Sequence, residues 1–537
     1  MKRFLIILAV VITVALPFIL RPRQHVSGPV DETVVIITPH NEAIRHEYAR
    51  GFESWYRTRT GRTVRIDWRV IGGTSEIARF LEGEYVASFR NYWTKLKHPW
   101  STEIQAGFQD YRLPTTAPSA VKEARAAFLA SNVGCGIDLF FGGGTYDFSR
   151  QAQVGRLVAS ELRVKHPEWF ADEVIPRIQA GEEYWDEQGR WIGAVLSSYG
   201  IVFNRDSLRR LGFTHEPEHW ADLTDPRLVG EVALCDPTKS GSIAKAFENI
   251  IQQQMQRRLT ALRASEPNAE ARLIEARAVR EGWLAGLQLL QLIGANSRYF
   301  TDSSQKPPID VAAGNCAVGL CIDFYGRQQN EAVRRRNGSD RVGYVTPIGG
   351  SVSSVDPIGL LRGARNRVVA ESFIEYTLSL EGQKLWNFKV GTAGGPERFV
   401  LRRLPVRRDF YARDDWKPLR SDPEENPYEQ KEQLVYRSAW TGDIFREMSF
   451  IIRVMCADTH GELVEAWRAI IAAPEPAKTK ALAVLQDLST VDYEQARGTV
   501  RQCLGAKNKV EEVLLAKRLA TGFREQYARA AEIARGR

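Results

Sequence analysis

The sequence predicts an α/β protein of two lobes, each built on a doubly wound, mainly parallel sheet, with a helical extension at the C-terminal end. Three observations predict it. Short β-like runs alternate with helical stretches over residues 33–143. An extended run, residues 191–212, breaks that alternation and leads into a second unit. A further extended stretch, residues 342–364, leads back. Alternation of this kind stacks strands in parallel with helices on both faces.

The elements follow in order. After a linker at 24–31, TVVIIT (33–38) reads as the first strand, followed by a helix that ends at Gly61. TVRIDWRVI (63–71) is the second strand, and GGTSE opens a helix over IARFLEG. Residues 86–132 read as an insertion rich in aromatic side chains, Trp93 and Trp100 among them, with a helical stretch near 119–131. IDLFFGG (137–143) is the third strand and closes the pattern of the first lobe, residues 31–198. The second lobe, 199–344, holds the apolar run 232–235, a long charged helical segment (252–293) and the strand 316–326. Residues 345–410 return to the first lobe through an amphipathic helix at 367–386, and 411–537 form the helical extension.

Composition is that of a globular protein: 537 residues, 44% hydrophobic and 26% charged, a length for two to four domains. The net charge of +8 favours anionic partners. Zinc spacings, RNP-like stretches and basic helix forks are missing, so nothing points to nucleic acid. Lys2 and Arg3 precede an apolar run, residues 4–20, and Arg21 and Arg23 follow it without an A-x-A pattern. This reads as an export signal or an uncleaved N-terminal anchor, placing the protein in the periplasm or on the outer face of the cytoplasmic membrane. None of the six cysteines forms a CxxC. In an exported chain an even count permits disulfides, and Cys456 with Cys503 is the candidate pair.

In doubly wound sheets, ligands bind at the carboxyl ends of the strands. Those ends carry Pro39, His40, Asn41 and Glu42, then Gly72, Gly73, Thr74 and Ser75, then Gly142, Gly143, Gly144 and Thr145. In the second unit, Thr238, Lys239, Ser240, Gly241 and Ser242 stand at the mouth of a helix. A helix start leaves about four N–H groups unpaired and carries partial positive charge, which suits an anion. An ordinary N-cap through Ser240 or Ser242 fits the same loop. Ser198, Tyr199, Asp323 and Tyr325 complete the candidate set, the tyrosines for stacking or hydrogen bonding. Asp323 either touches ligand or braces Lys239. No nucleophile elbow, P-loop, zinc-protease or dinucleotide motif occurs, so the reading is a non-enzymatic one with no cofactor.

Following the export-type start, the stretches VVIITPHNEAIRHEYARGFESWY, IDLFFGGG, VLSSYGIVFN, HWADLTDPRLVGEVALCDPTKSGS and SVSSVDPIGLLRGARNRVVAESFIEYTLSLEGQKLW resemble those of periplasmic solute-binding proteins of ABC importers. The likeness is to the family 1 extracellular solute-binding proteins, in the branch for ferric iron, thiamine and phosphorylated solutes, and covers residues 31–410. It implies a type II periplasmic-binding-protein fold with a double crossover hinge, a monomer that closes on its solute, and permease and ATPase subunits as partners. Ferric members use a histidine after the first strand, an acid after the third, two adjacent tyrosines near the second crossing, and an anion loop. His40 matches the first, and Ser240, Gly241 and Ser242 match the loop. The acidic position is Gly143 or Gly144, and the tyrosine pair reads Asp323, Phe324, Tyr325. The iron set is incomplete. The resemblance therefore implies a small anionic or phosphorylated solute ahead of ferric iron held by His40 and Tyr325 with a synergistic anion. A membrane-tethered sensor module is the alternative use of such a cleft.

Overall fold

The computed structural model describes residues 30–430, 432–506 and 509–536. The apolar N-terminal run lies outside the described residues, and among the described ones no helix is long and apolar enough to cross a membrane.

In chain order, β1 (Glu32–Ile37) leads to α1 (Glu42–Thr60), and β2 (Val64–Arg69) to α2 (Thr74–Lys95). Helix α3 (Ser119–Ala130) precedes β3 (Leu139–Phe141), which leads to α4 (Thr145–Val154). β4 (Ile192–Ser197) passes through Ser198 into β5 (Tyr199–Asn204). Next come β6 (Val232–Cys235), α5 (Gly241–Ser265), α6 (Ala271–Ala295), β7 (Ser297–Thr301), β8 (Val318–Ile322), α7 (Asp323–Asn337) and β9 (Val342–Val345). The chain returns through β10 (Ser354–Leu361), α8 (Arg367–Leu378), α9 (Leu380–Asn387) and β11 (Leu404–Pro405), and the last large helices are α10 (Phe445–Ile452), α11 (His460–Ala472) and α12 (Lys509–Ala534).

The first lobe's sheet has the order β11-β4-β10-β3-β1-β2. β1 runs parallel to β2 and β3, whereas β10 is antiparallel to β3 and β4. The second lobe's sheet has the order β7-β6-β8-β5-β9, with β6 parallel to β7 and β8 and β5 antiparallel to β8 and β9. Each sheet is thus parallel where βα units follow one another and antiparallel where a crossing strand enters. The crossing strands β4 and β5 are buried at every position, which is why residues 191–204 read as a continuous apolar run without alternation.

Local signals account for the element ends. Helix α1 starts at Asn41, whose side chain accepts from the Ile44 amide, and stops at Gly61 in the left-handed conformation. Its buried face is Ile44, Tyr48, Phe52 and Tyr56, spaced four apart. Helix α2 runs further than the sequence reading allowed. It passes Gly83 unbroken to Lys95, because Ile77, Leu81, Tyr85, Phe89 and Trp93 keep one buried stripe. An interior glycine costs about 1 kcal/mol, less than losing that stripe. The insertion therefore begins after α2, and its rings pack on the helix's end, with Phe89 stacked on Phe108 at 4.5 Å.

The C-terminal extension is part of the second lobe's core. Trp440, Met448, Ile451, Leu463, Phe523 and Tyr527 belong to one buried cluster with Ile201, Leu234, Met255, Trp283 and Leu320. Polar anchors fix the seam: Trp283 Nε1 donates to the Val491 carbonyl at 3.0 Å, Trp467 Nε1 to Asn296 Oδ1 at 2.8 Å, and Gln291 Nε2 to the Leu485 carbonyl at 2.9 Å. Before reaching this lobe the chain makes a third passage between the lobes. Gly349 donates to the Glu432 carbonyl, Leu434 to Ser351 and Tyr436 to Ala180, so residues 432–437 run beside the second crossover. The expected Cys456–Cys503 bridge is not formed. All six cysteines are free, and Cys456 is buried with its thiol facing the Leu290 carbonyl.

Ending the chain after residue 410 would uncover Met255, Trp283 and Leu287, all fully buried, at about 1.5–3 kcal/mol for each large side chain. The truncated protein is expected to aggregate or fail to express in soluble form. A soluble monomer with the circular dichroism and melting temperature of the full chain would contradict this.

Candidate functional site

Between the lobes lies a cavity of about 470 Å3, lined from the first lobe by His40, Asn41, Gly73, Thr74, Gly143, Asp356 and Arg403 and from the second by Lys239, Ser240, Gly241, Ser242, Asp302 and Tyr325, among others. The lobes meet at its edge: a Cβ on Gly73 would stand 2.8 Å from the Lys239 carbonyl oxygen.

Four helices start at this cavity. Asn41 and Glu42 open α1, Gly73 and Thr74 open α2, Ser240 and Gly241 open α5, and Phe324 and Tyr325 lie in the first turn of α7. Three of these starts carry their own acid in the first turn: Glu42, Glu76 and Asp323. Helix α5 has none. Ser240 Oγ accepts from the Ile243 amide at 3.3 Å, so Ser240 does cap its own helix. The amides of Gly241 and Ser242 have no partner among the described residues. Lys239 beside them, and Arg45 from α1, have no carboxylate within ion-pair distance among the described residues. The cavity's carboxylates, Glu42, Glu76, Asp302 and Asp356, are disposed differently. Glu76 accepts from the Gly73 amide at 3.0 Å, and Asp356 is paired with Arg403 at 2.8 Å.

The glycine run after β3 has a geometric cause. Gly142 and Gly143 have φ of 88° and 122°, which L side chains avoid. A Cβ on Gly142 would sit 2.5 Å from the His40 ring, and one on Gly143 would sit 2.6 Å from the Thr74 side chain. These positions are empty of side chain so that His40 and Thr74 can reach the cavity.

His40 is buried and packs edge-on against Phe141 at 4.6 Å. Its Nε2 lies 3.6 Å from Asp356 Oδ2 and 3.3 Å from Arg403 Nη1. Burial pushes its pKa below the ordinary value, with Asp356 opposing and Arg403 adding to the shift. Burial disfavours the charge of Asp356, but Arg403 and His40 outweigh it and hold that carboxyl below the usual range. Burial likewise raises the Tyr325 phenol.

The structure brings together His40, Asn41, Thr74, Lys239, Ser240, Gly241, Ser242 and Tyr325 from the sequence-derived set. Gly144, Thr145 and Tyr199 line a neighbouring cavity of about 790 Å3 on the hinge side, which shares Gly241 with the first. There Lys245 is held between Glu182 of the first lobe at 2.6 Å and Glu248 of its own helix at 2.8 Å. Ser75 and Ser198 line neither cavity. Ser198 is buried at the crossover, its carbonyl accepting from the Asp323 amide at 2.9 Å. Asp323 does not brace Lys239. It is fully buried, accepts from the Phe324 amide at 2.8 Å and faces Arg327 one turn on at 3.9 Å. It serves the start of α7.

Sequence reasoning missed Arg403, Asp356, Arg45 and the loop Asp302, Ser303, Ser304, Gln305. The loop follows β7, so the strand-end rule applied to the second sheet would have found it. Asp356 is a lone carboxylate inside the run SSVDPIGLL, a visible irregularity. Arg403 has no local signal; it enters only because β11 docks beside β4.

The fold is thus two-lobed, with a cleft between the lobes. Residues 137–393, from β3 across both crossovers and through α9, match the model of the bacterial extracellular solute-binding protein family. An uncharacterized protein of Haemophilus influenzae is 28% identical over 250 residues, 46% of this chain and 60% of that one, so the match spans less than two thirds of the relative. Among solved structures, the periplasmic binding protein AfuA of Actinobacillus pleuropneumoniae, with exogenous fructose-6-phosphate bound, is 19% identical with a TM-score of 0.45, covering 66% of this chain and 81% of that one. The periplasmic binding protein P5PA is 16% identical with a TM-score of 0.48, covering 82% and 99%. Iron-bound HitA of Pseudomonas aeruginosa is 16% identical with a TM-score of 0.45, covering 79% and 99%.

Burial raises the Asp323 pKa to about 6 despite Arg327 and Arg403. A carboxyl whose folded pKa lies above its unfolded value of about 3.9 binds more protons when folded. Its contribution is therefore lost as pH rises from about 4 through 6. Denaturant melts of Asp323→Asn between those limits are expected to show a flatter pH dependence than the parent. Parallel curves would contradict the placement of this group.

Proposed function

We propose that this protein is the extracytoplasmic solute-binding component of an ABC importer, capturing a small organic solute that carries an anionic, phosphate-like group. The observation that carries the anion is the start of α5: of the four helix starts at the cleft, it is the one without an acid of its own. In this reading the amides of Gly241 and Ser242, without partners among the described residues, the helix dipole, Lys239 and the Ser242 hydroxyl serve as the anion's donors. Asp302, Ser303, Gln305 and Glu42 line the rest of the wall, and their acceptors and hydroxyls suit a solute body with several hydroxyl groups. His40, Asn41, Thr74 and Arg45 are the first lobe's share of the contacts, with Tyr325 from the second. Gly144, Thr145 and Tyr199 belong to the hinge-side cavity in this reading, and Ser75, Ser198 and Asp323 act as supports.

Ferric iron is the less supported cargo. A hard trivalent ion wants several anionic oxygens, whereas the Arg403 guanidinium stands against both His40 and Asp356. Among the described residues no three of His, Cys, Asp and Glu are grouped to hold a metal. The family match supports a periplasmic carrier rather than a catalyst, with permease and ATPase subunits receiving the solute; an export signal or retained anchor at the N-terminus is consistent with it.

Lys239→Ala combined with Ser240→Ala is expected to weaken solute binding at least tenfold, about 1.4 kcal/mol, in protein that remains folded. Calorimetry showing equal affinity in the folded double variant would refute the anion site. Saturating solute is also expected to reduce the radius of gyration in small-angle scattering as the lobes close. Identical scattering with and without solute would show that capture does not work by closure.

A further inference from the structure

Arg403 and Asp356 both line the cleft but hold no part of the proposed solute. Arg403 is a guanidinium with no exposed surface, and Asp356 beside it keeps 14% of its side chain open. Arg403 donates to Ser197 Oγ at the first crossover and is ion-paired with Asp356 Oδ2 just after the second. It also lies 4.5 Å over the ring of Phe324 from the opposite lobe. Its Nε and the Nδ1 of His40 are buried without hydrogen-bond partners among the described residues. Two nitrogen-bearing side chains are thus gathered on the cleft floor, and the Asp356 carboxylate lies against both, 2.8 Å from Arg403 Nη2 and 3.6 Å from His40 Nε2.

We infer that Asp356 is a built-in counter-anion: it occupies the Arg403–His40 floor, so that the cleft accepts one anionic group, at the start of α5, and rejects a second at the floor. The inference rests on the anion reading of the α5 start. An unpaired buried guanidinium is costly and would attract any small anion; a fixed carboxylate satisfies it and repels a solute carboxylate or phosphate brought to the same place. Asp356 and Arg403 are therefore specificity-determining residues. They favour solutes with one charged end and a neutral, hydroxyl-bearing other end over solutes charged at both.

Inorganic phosphate is the probe, titrated calorimetrically into the full chain. Asp356→Ala, which removes both the charge and the screen, is expected to bind one more phosphate per chain than the parent. Asp356→Ala combined with Arg403→Gln is expected to return to the parental number. An Asp356→Ala protein with the parental number and affinity overturns the inference. Failure of the α5 reading shows separately, as parental phosphate binding that is indifferent to Lys239→Ala with Ser240→Ala. A second measurement does not depend on the alanine variant folding. In Arg403→Gln the NMR titration of His40 is expected to move up in pH, since a neighbouring cation is lost while Asp356 stays. A His40 titration that does not move overturns the proposed floor.

Discussion

A helix cannot pair its first amides with itself, and this protein is arranged so that four helices leave that deficit in one place. β1 and β2 run parallel in the first lobe and end toward the cleft, as do β6 and β8 in the second. Each strand end therefore delivers a helix start, and two lobes facing each other bring four starts around one cavity of about 470 Å3. Partial positive charge gathered in this way must be offset. The chain offsets it at three of the four positions with Glu42, Glu76 and Asp323 and leaves the fourth open. Beside it stand glycines where ring and hydroxyl need room and, among the described residues, a pair of amides at Gly241 and Ser242 without partners and a lysine without an ion-pair partner.

The hinge is more heavily built than two crossing strands require. The passage at 432–437 bonds to the second crossover and to the turn at Ala180. Next to it the buried Lys245 joins Glu182 of one lobe to Glu248 of the other. Burial disfavours the lysine's charge, but the two carboxylates outweigh it and raise its pKa. Opening that moves Glu182 away still leaves Lys245 with Glu248 on its own helix, so no charge is stranded. The C-terminal helices complete the second lobe on its outer side, where α5 and α6 would otherwise expose Met255, Trp283 and Leu287. Extra mass and an extra passage between the lobes thus come as one unit.

Much of the cleft lining was legible because its signals are local. Strand-end residues and a Ser-Gly-Ser helix mouth lie within a few positions of one another, and His40, Thr74, Lys239 and Ser240 through Ser242 do line the cleft. Ser75 and Ser198 did not follow the rule. A neighbour along the chain can point away from a cavity, and at a buried crossover such as Ser198 the backbone, not the hydroxyl, makes the contact. The insertion boundary was misplaced because Gly83 looked like a stop, while the stripe that carries the helix through it is read only over several turns.

The sequence by itself determined the βα alternation, the two extended crossings, the helix caps at Asn41 and Ser240 and the glycines after β3, since each depends on residues within one or two turns of one another. Tertiary structure alone decided that Arg403 meets Ser197, Asp356 and His40, positions far apart along the chain, and that the last hundred residues close the second lobe's core. It also decided which carboxylates line the cleft and which serve a helix start. Those outcomes are set by which sheet edges pair and which helices dock, and the free energy of that packing is spread over residues that no short window contains.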